Sequence, residues 1–333
     1  MSNDAFRLEI VHSKSNNPWF NLALEEFLFN NVKKDEVILY LWQNDNTIVI
    51  GKNQNPWKEC RCKEFEVIGG RIARRLSGGG AVFHDMGNLN FTFIMHRNRF
   101  EIKKQLQVII DAVKDFGIEA EFSGRNDITV QGKKFSGNAF YYDGEKAYHH
   151  GTLLVNSDIN KMVKYLQVSK EKIISKGIDS VKSRVVNLNT FSNSINVDTL
   201  KKKLQASFLN TYDCSSVEEY IADERMIDIQ QLYDKYSSWK WRYGETPEFN
   251  VSLENRFPFG NVDINFSLHD GKISMVKIYS DALDYSFIDI LSKQLTNTEF
   301  KKEAIQKSLN EVRSKNSVID EIASWLVNCN DLI

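Results

Sequence analysis

An α/β (α+β) fold in two parts is what this sequence predicts: a large domain over residues 1–245 and a small α+β unit over 246–333. Strand-like runs recur between residues 36 and 155 and are interrupted by one strongly amphipathic helix. Near residue 244 the pattern changes. GETPEFN (244–250) carries Gly244 and Pro247 and no apolar period, as a linker does. The chain of 333 residues, 42% apolar and 12% aromatic, is long enough for one large core and a second small one.

The elements follow in order. NNPWFNLALEEFLFNNV opens with Asn17 as N-cap and Pro18 at the first helical position. Phe20, Leu24, Phe27 and Leu28 then recur at helical spacing and predict a core-facing helix. EVILYLW (36–42) and NTIVIGK (46–52) read as buried strands joined by the polar turn QND, and PWKEC (56–60) starts another helix. RIARR (71–75) is a short strand leading into LSGGG. In NLNFTFIM (88–95), Leu89, Phe91 and Phe93 alternate with Asn90 and Thr92. EIKKQLQVIIDAVKDFG (101–117) is the amphipathic helix, with Gly117 as its C-cap. Short strands are expected at 118–122, 127–131, 134–142 and 146–155, with Gly132 and Asp143-Gly144 in the turns. From 158 to about 237 the pattern is mainly helical, broken at 180–188. In the small unit, NVDINFSLHDGKISMVKIYSD (261–281) predicts a hairpin around Asp270-Gly271, followed by two or three helices.

Several function classes are disfavoured at once. A formal net charge of −1 gives no global attraction to nucleic acid or an anionic membrane. No apolar run approaches the ~18–20 residues of a membrane span. MSNDAFRLEI lacks the apolar centre of a signal peptide, so the expected location is cytoplasmic. The four cysteines, Cys60, Cys62, Cys214 and Cys329, suggest neither a disulfide framework nor a zinc site, since C-x-C has no second pair.

Three clusters carry residues suited to chemistry. The first is ARRLSGGGAVFHDMGN (73–88). Three successive glycines weaken any regular element, by roughly 0.5–1 kcal/mol each, but allow close backbone approach and convergence of N–H groups on an anion. A tight exposed turn is the plainer explanation; the flanking Arg74, Arg75, Ser77, His84 and Asp85 favour a site. Arg74 and Arg75 would point to opposite faces of a strand, and Arg75 shares a face with Ser77. The loop is neither a P-loop nor a dinucleotide fingerprint, because no Gly-Lys-Ser/Thr follows and G-x-G-x-x-G is absent. The second cluster is SGRNDITVQGKKFSGNAFYY (123–142). Asp127 is a hard-oxygen ligand suited to Mg²⁺ shared with nucleotide phosphates. Lys134 alternates with Phe135, so one of them faces a cleft, where an ammonium would stabilise charge developing on phosphorus. A solvated hairpin tip explains Lys133-Lys134 equally well on these residues alone. The third is YHHGTLLVN (148–156). His149 and His150 face opposite sides of a strand, cannot share one metal, and at least one reads as structural.

Together SGGGAVFHDMGNLNF, GRNDITVQGKKFSGNA, HHGTLLVN, SKGIDSVKSRVVNL and WKWRYGETPEF, in that order, resemble the bacterial lipoate–protein ligase family, as do PWFNLALEE and IGKNQNPWKEC near the start. The resemblance spans most of the first 250 residues, and the small C-terminal unit matches the family's accessory domain in place and size. It implies the biotin/lipoate protein ligase catalytic fold, related to class II aminoacyl-tRNA synthetases. It implies two half-reactions: lipoate and MgATP give lipoyl-AMP and pyrophosphate, and the lipoyl group then moves to a lysine of a lipoyl domain. Such carriers are acyltransferase subunits of 2-oxo acid dehydrogenases or the glycine-cleavage H protein. Carried over by position, Lys134 is the catalytic lysine on the acyl carbonyl and phosphate. Arg75, Ser77, Gly78, Gly79, Gly80, Ala81, Val82, Phe83 and His84 line the nucleotide and acyl site. Asn126 and Asp127 serve the nucleotide, with Asp127 on its Mg²⁺. Ser183 and Arg184 fall in a loop that closes over the adenylate. Tyr141 stands where some members carry Arg, and Leu76 replaces a small polar residue.

Three alternatives share part of this pattern. A transferase could accept preformed lipoyl-AMP. An octanoyltransferase of the same fold would need a cysteine thioester, for which Cys60 and Cys62 are nearest. A non-catalytic module could dock carriers without chemistry.

Overall fold

The computed structural model describes residues 7–123, 126–166, 184–214, 217–243, 251–269, 271–313 and 317–329. Contacts divide the chain into two compact units: Met1–Ile50, Pro56–Ser77 and Ala81–Arg242 in the first, and Gly51–Asn55, Gly78–Gly80 and Tyr243–Ile333 in the second. The expected linker (244–250), Asp270 and Ser183 lie outside the described residues.

The first unit runs β1 (Arg7–Ser13), α1 (Pro18–Asn31), β2 (Glu36–Trp42), β3 (Thr47–Ile50), α2 (Pro56–Glu59), α3 (Cys62–Val67), β4 (Arg71–Arg74), β5 (Val82–His84), β6 (Asn88–His96), α4 (Ile102–Lys114), β7 (Glu121–Ser123), β8 (Asp127–Val130), β9 (Lys133–Asp143), β10 (Lys146–Leu154), α5 (Ile159–Tyr165), α6 (Val197–Thr211), β11 (Glu218–Ala222), α7 (Gln230–Ser237) and α8 (Trp239–Arg242). Eight strands form one mixed sheet in the order β11-β1-β2-β6-β10-β9-β8-β7. A second sheet has the order β4-β3-β5. Thus β2 and β3, adjacent in sequence, do not pair as a hairpin. Asn46, at φ 42°, turns the chain between them.

The central strands of the large sheet are buried on both faces, and β2 shows why its sequence reads as a continuous apolar run. Val37, Leu39 and Leu41 enter a core built with Phe91 and Phe93 of β6, Leu106 and Ile109 of α4, and Leu204 and Phe208 of α6. Ile38, Tyr40 and Trp42 enter a second core with Phe20 and Leu24 of α1, Tyr236 of α7 and Val49 of the small sheet. Period-two alternation therefore sorts one strand between two helical layers. Helix α1 begins as expected: Asn17 accepts from the Trp19 amide at 3.1 Å, and Pro18 follows. Helix α4 ends before Gly117, whose φ of 77° suits the turn that stops it.

Strands β1 and β11 were not expected from the sequence. β11 (EEYIA) lies in a segment that reads as mainly helical, and all but Ala222 are exposed. Its register with β1, parallel from Glu9↔Glu218 to Ser13↔Ala222, supplies long-range hydrogen bonding that local periodicity does not encode.

In the second unit β12 (Val251–Phe257), β13 (Gly260–His269) and β14 (Lys272–Ser280) form an antiparallel sheet. The β13–β14 pair is the hairpin the sequence predicts; β12 is an added strand. Helices α9 (Ser286–Leu295), α10 (Lys302–Asn310) and α11 (Ser317–Val327) complete it. Phe266, Phe287, Leu291, Ile319 and Ile322, all fully buried, form its own core.

Candidate active site

Lys134 sits at the start of β9, just past a two-residue turn. Gln131 (φ 50°) and Gly132 (φ 73°) both take the left-handed conformation that a tight hairpin requires, between the paired Val130 and Lys133. The β8–β9 register then shifts: Ile128 pairs with Ser136, but Thr129 with Lys134. Phe135 is the extra residue and is fully buried, so the bulge sends Phe135 to the core and re-aims Lys134. The lysine lies back across Gly137. A Cβ on that glycine would stand 2.8 Å from Lys134 Nζ and 3.0 Å from its Cε. Nζ is 2.6 Å from Asp127 Oδ1, with both side chains about one-third exposed at 35% and 38%. The Lys134 backbone is tied on its other side, its amide donating to the Arg184 carbonyl at 2.7 Å and its carbonyl accepting from Val186 at 2.9 Å. The segment expected to close over the site thus meets Lys134 through Arg184.

Asn126 adjoins Asp127 and is clamped to β9. Its carbonyl accepts from the Asn138 amide at 2.9 Å and from Asn138 Nδ2 at 3.1 Å, and its own Nδ2 donates to the Asn138 carbonyl at 3.2 Å. These bonds fix where β8 begins and hence where Asp127 stands. Asp127 is a single carboxylate, and no group of three or more His, Cys, Asp or Glu that could hold a metal occurs among the described residues. That donor set fits Mg²⁺ only as an ion shared with substrate phosphates and water.

A second constellation joins β4, α1, β6 and β10. Arg75 Nε donates to Ser77 Oγ at 3.0 Å, and Nη1 donates to the Val49 carbonyl at 3.1 Å. Ser77 Oγ is 2.7 Å from His150 Nε2. His150 Nδ1 is 2.8 Å from Glu25 Oε1, which also accepts from Thr92 Oγ1 at 2.7 Å. Thr92 Oγ1 in turn accepts from Trp42 Nε1 at 3.1 Å. The donor count closes without conflict if Ser77 donates to His150 and His150 donates to Glu25. All six residues are buried, where an unpaired charge would be costly. Burial pulls the Arg75 guanidinium down to about 10, so it is still a cation at neutral pH.

Arg74 behaves differently, as strand alternation predicts. Its Nε and Nη2 donate to the Trp241 and Arg242 carbonyls, both at 2.9 Å, and Trp241 Nε1 donates back to the Arg74 carbonyl. Arg74 therefore fastens α8 to β4. His84 is also buried. Asn44 Nδ2 donates to its Nδ1 at 3.1 Å, which puts the proton on Nε2, and Nε2 has no hydrogen-bond partner among the described residues. Burial, with Arg75 and His150 adding to it, holds its pKa down to about 3. A buried donor left over in this way is what a ligand oxygen would satisfy. Phe83 lies on the opposite face of β5 and packs on Phe65 at 6.1 Å. Val82 is partly buried against the α1 core and Ala81 is half-buried. Tyr141 packs against Tyr148 with ring centroids 5.2 Å apart and the rings tilted by 34°, and Leu76 is buried.

The triglycine belongs to the second unit. A Cβ on Gly78 would lie 2.4 Å from the Ala282 carbonyl oxygen, and the Gly79 amide donates to that oxygen at 3.2 Å. Gly79 has φ 88°. A Cβ on Gly51 would meet the Gly79 carbonyl at 2.4 Å. Gly78 is thus required for packing and Gly79 for its backbone conformation, while Gly80 is exposed with open space at its Cβ position.

Glu25, Thr92 and Asn138, members of these networks, escaped the sequence reading. Glu25 carried the clearest signal, an acid within the apolar stretch LALEEF. Asn138 sits one residue past Gly137.

The family described as lipoyl protein ligase A/B catalytic domain matches residues 17–209. The one described as bacterial lipoate protein ligase C-terminus matches residues 246–326. Lipoate-protein ligase A of Psychrobacter cryohalolentis is 39% identical over 335 residues, covering 96% of this chain and 98% of that protein. The crystal structure of P. falciparum LipL1 in complex with lipoate superposes with a TM-score of 0.85 at 34% identity, over 97% of this chain and 100% of that one. A bipartite lipoate protein ligase from Thermoplasma acidophilum, studied with its E2 lipoyl domain, gives 0.65 at 25% identity, over 74% of this chain and 100% of that one. With the catalytic-domain family matching more than half of the chain and a relative aligned nearly end to end, the chain belongs to the lipoate–protein ligase family.

Proposed function

We infer that the chain is an ATP-dependent lipoate–protein ligase. It joins lipoate to the AMP moiety of ATP, releasing pyrophosphate, and passes the lipoyl group to a lysine on a carrier protein. The carriers are lipoyl domains, either of 2-oxo acid dehydrogenase acyltransferase subunits or the glycine-cleavage H protein. The observation that carries this is the full-length kinship to lipoate ligases, together with one lysine laid over a glycine and against one carboxylate.

Lys134 is assigned to the reacting atoms. Its ammonium would hold the lipoate carboxylate against the α-phosphate and offset the negative charge that grows there during attack. Asp127 keeps that ammonium in place in the absence of ligand and would hold Mg²⁺ with the phosphates when nucleotide binds. Such an ion would supply charge neutralisation at the phosphates. Asn126 is assigned to the nucleotide beside Asp127. The unsatisfied Nε2–H of His84 and the cation of Arg75, braced by Ser77, are assigned to ligand oxygens. Ala81, Val82 and Phe83 are assigned to the wall, with Phe83 acting through Phe65. Burial counts against a cysteine thioester: Cys60 and Cys62 are only 1% and 3% exposed, with their sulfurs 3.3 Å apart. Their mutual hydrogen bond, more than burial, pushes the Cys60 thiol up and pulls the Cys62 thiol down, and both residues stay buried.

Lys134→Ala tests the assignment. ATP–pyrophosphate exchange should fall by about 10²–10³-fold or more, with the circular dichroism spectrum and melting temperature retained. Normal exchange in that variant would remove Lys134 from the chemistry, and a large loss of melting temperature would make it a structural lysine.

A further inference from the structure

On the far side of the sheet from His150, a polar chain runs through an otherwise apolar core. Gln105 of α4 and His149 of β10 are fully buried, and Asn138 is 2% exposed. Gln105 Oε1 stands 3.0 Å from His149 Nδ1, and Asn138 Oδ1 stands 2.8 Å from His149 Nε2. The imidazole is packed among Phe140 at 4.8 Å, Phe91 at 5.4 Å and Phe93 at 5.9 Å.

Two acceptor oxygens on one imidazole would demand an imidazolium, which an aromatic enclosure does not favour. Burial accordingly holds the pKa of His149 down to about 3. One amide must therefore be turned, and amide orientation follows from the hydrogen-bond network. Asn138 is not the one. Its Nδ2 donates to the Asn126 carbonyl at 3.1 Å, and turning it would set two oxygens against each other. Gln105 can turn at little cost, since its other contact is Met95 sulfur at 3.5 Å. Its Nε2 then donates to His149 Nδ1, and the histidine is neutral with its proton on Nε2.

We propose that His149, held as the Nε2–H tautomer by Gln105, is a positioning residue for adenylation: it orients Asn138, whose bonds to Asn126 set Asp127 and through it Lys134. The sequence of contacts is continuous. His149 Nε2–H fixes Asn138 Oδ1, and the Asn138 amide and Nδ2 then hold the Asn126 carbonyl. Asp127 follows Asn126 and pairs across the sheet with Gly137, over which Lys134 lies. The bulky neighbours keep the ring from rotating, so the tautomer sets a direction as well as a bond. The proposal rests on the assignment of Lys134 and Asp127 to the reacting site.

The test has a spectroscopic arm and a kinetic arm on the full-length chain. In ¹⁵N-histidine NMR of the wild type, the resonance assigned to His149 by its loss in His149→Gln should show a protonated Nε2, an unprotonated Nδ1 and no titration down to pH 5. His149→Gln keeps an N–H near the Nε2 position; His149→Phe keeps the bulk and loses the donor. ATP–pyrophosphate exchange should fall about 10- to 100-fold in kcat for His149→Phe, on the scale of a 1 Å misplacement. It should stay within about threefold of wild type for His149→Gln, with lipoate affinity unchanged in both. An Nδ1–H tautomer or an imidazolium would overturn the proposal. So would wild-type exchange in a folded His149→Phe, or a His149→Gln as slow as the phenylalanine variant. Failure of the site assignment would appear separately, as normal exchange in Lys134→Ala, and leaves the NMR result untouched.

Discussion

His84 and His149 are neutral imidazoles in dry surroundings, both held down to about 3 from an ordinary 6.5. Their effect on stability has a definite sign. On acidification the unfolded chain takes up these protons near pH 6.5, while the folded chain resists until about pH 3. Stability is therefore whole above pH 6.5 and is lost as pH falls through that window. At about 1.36 kcal/mol per pH unit, each histidine removes about 2 kcal/mol by pH 5. Urea unfolding at pH 7 and pH 5 should show the loss, and His149→Phe should show a shallower slope than wild type. Equal slopes would mean that His149 is not held neutral by the fold. The visibility of such residues in the sequence was uneven. Lys134 and Arg75 stood beside glycines, and alternation alone separated Arg75 from Arg74. Glu25 and Asn138 were hidden because their partners, His150 and Asn126, lie 125 and 12 residues away. Only the sheet register brings them together.

Among the elements, the β8–β9 hairpin concentrates the local chemistry. Its turn, its bulge and Gly137 all serve the placement of one side chain. Gly137→Ala should leave the hairpin folded, since Gly137 is absent from the positive-φ residues. The new Cβ would occupy space 2.8 Å from Lys134 Nζ, so the lysine must swing away from Asp127. Exchange should drop roughly 10- to 100-fold, while the melting temperature changes by only a few degrees. Undiminished exchange would show that the lysine does its work in another position. Gly132 and the Lys134/Phe135 alternation announced this hairpin in the sequence; the bulge was invisible, because it depends on a partner strand. The same limit explains β1 and β11. A strand held mainly by long-range pairing has little periodicity to read, whereas α4 and α1 carry caps and apolar spacing within their own residues.

Across the whole molecule, each unit has its own apolar core. Leu291→Ala, at a fully buried position in the second unit, should cost that unit about 2–5 kcal/mol. Calorimetry should resolve a lowered second-unit transition with the first-unit transition in place. One cooperative transition moving as a whole would contradict independent cores. The composition change near residue 244 marked the second unit in the sequence. The membership of Gly51–Asn55 and Gly78–Gly80 in it was not legible, since it arises from contacts such as Gly79 with Ala282. No helix among the described residues is long and apolar enough to cross a membrane.

Ligation itself is the most direct thing to measure. The purified chain is incubated with lipoic acid, MgATP and a lipoyl domain, and the intact mass of the carrier is recorded with and without ATP. One lipoyl group should be added to one carrier lysine, only when ATP is present, with pyrophosphate released in equal amount. A carrier that stays unmodified with ATP, yet is modified when preformed lipoyl-AMP is supplied, would contradict adenylation by this chain.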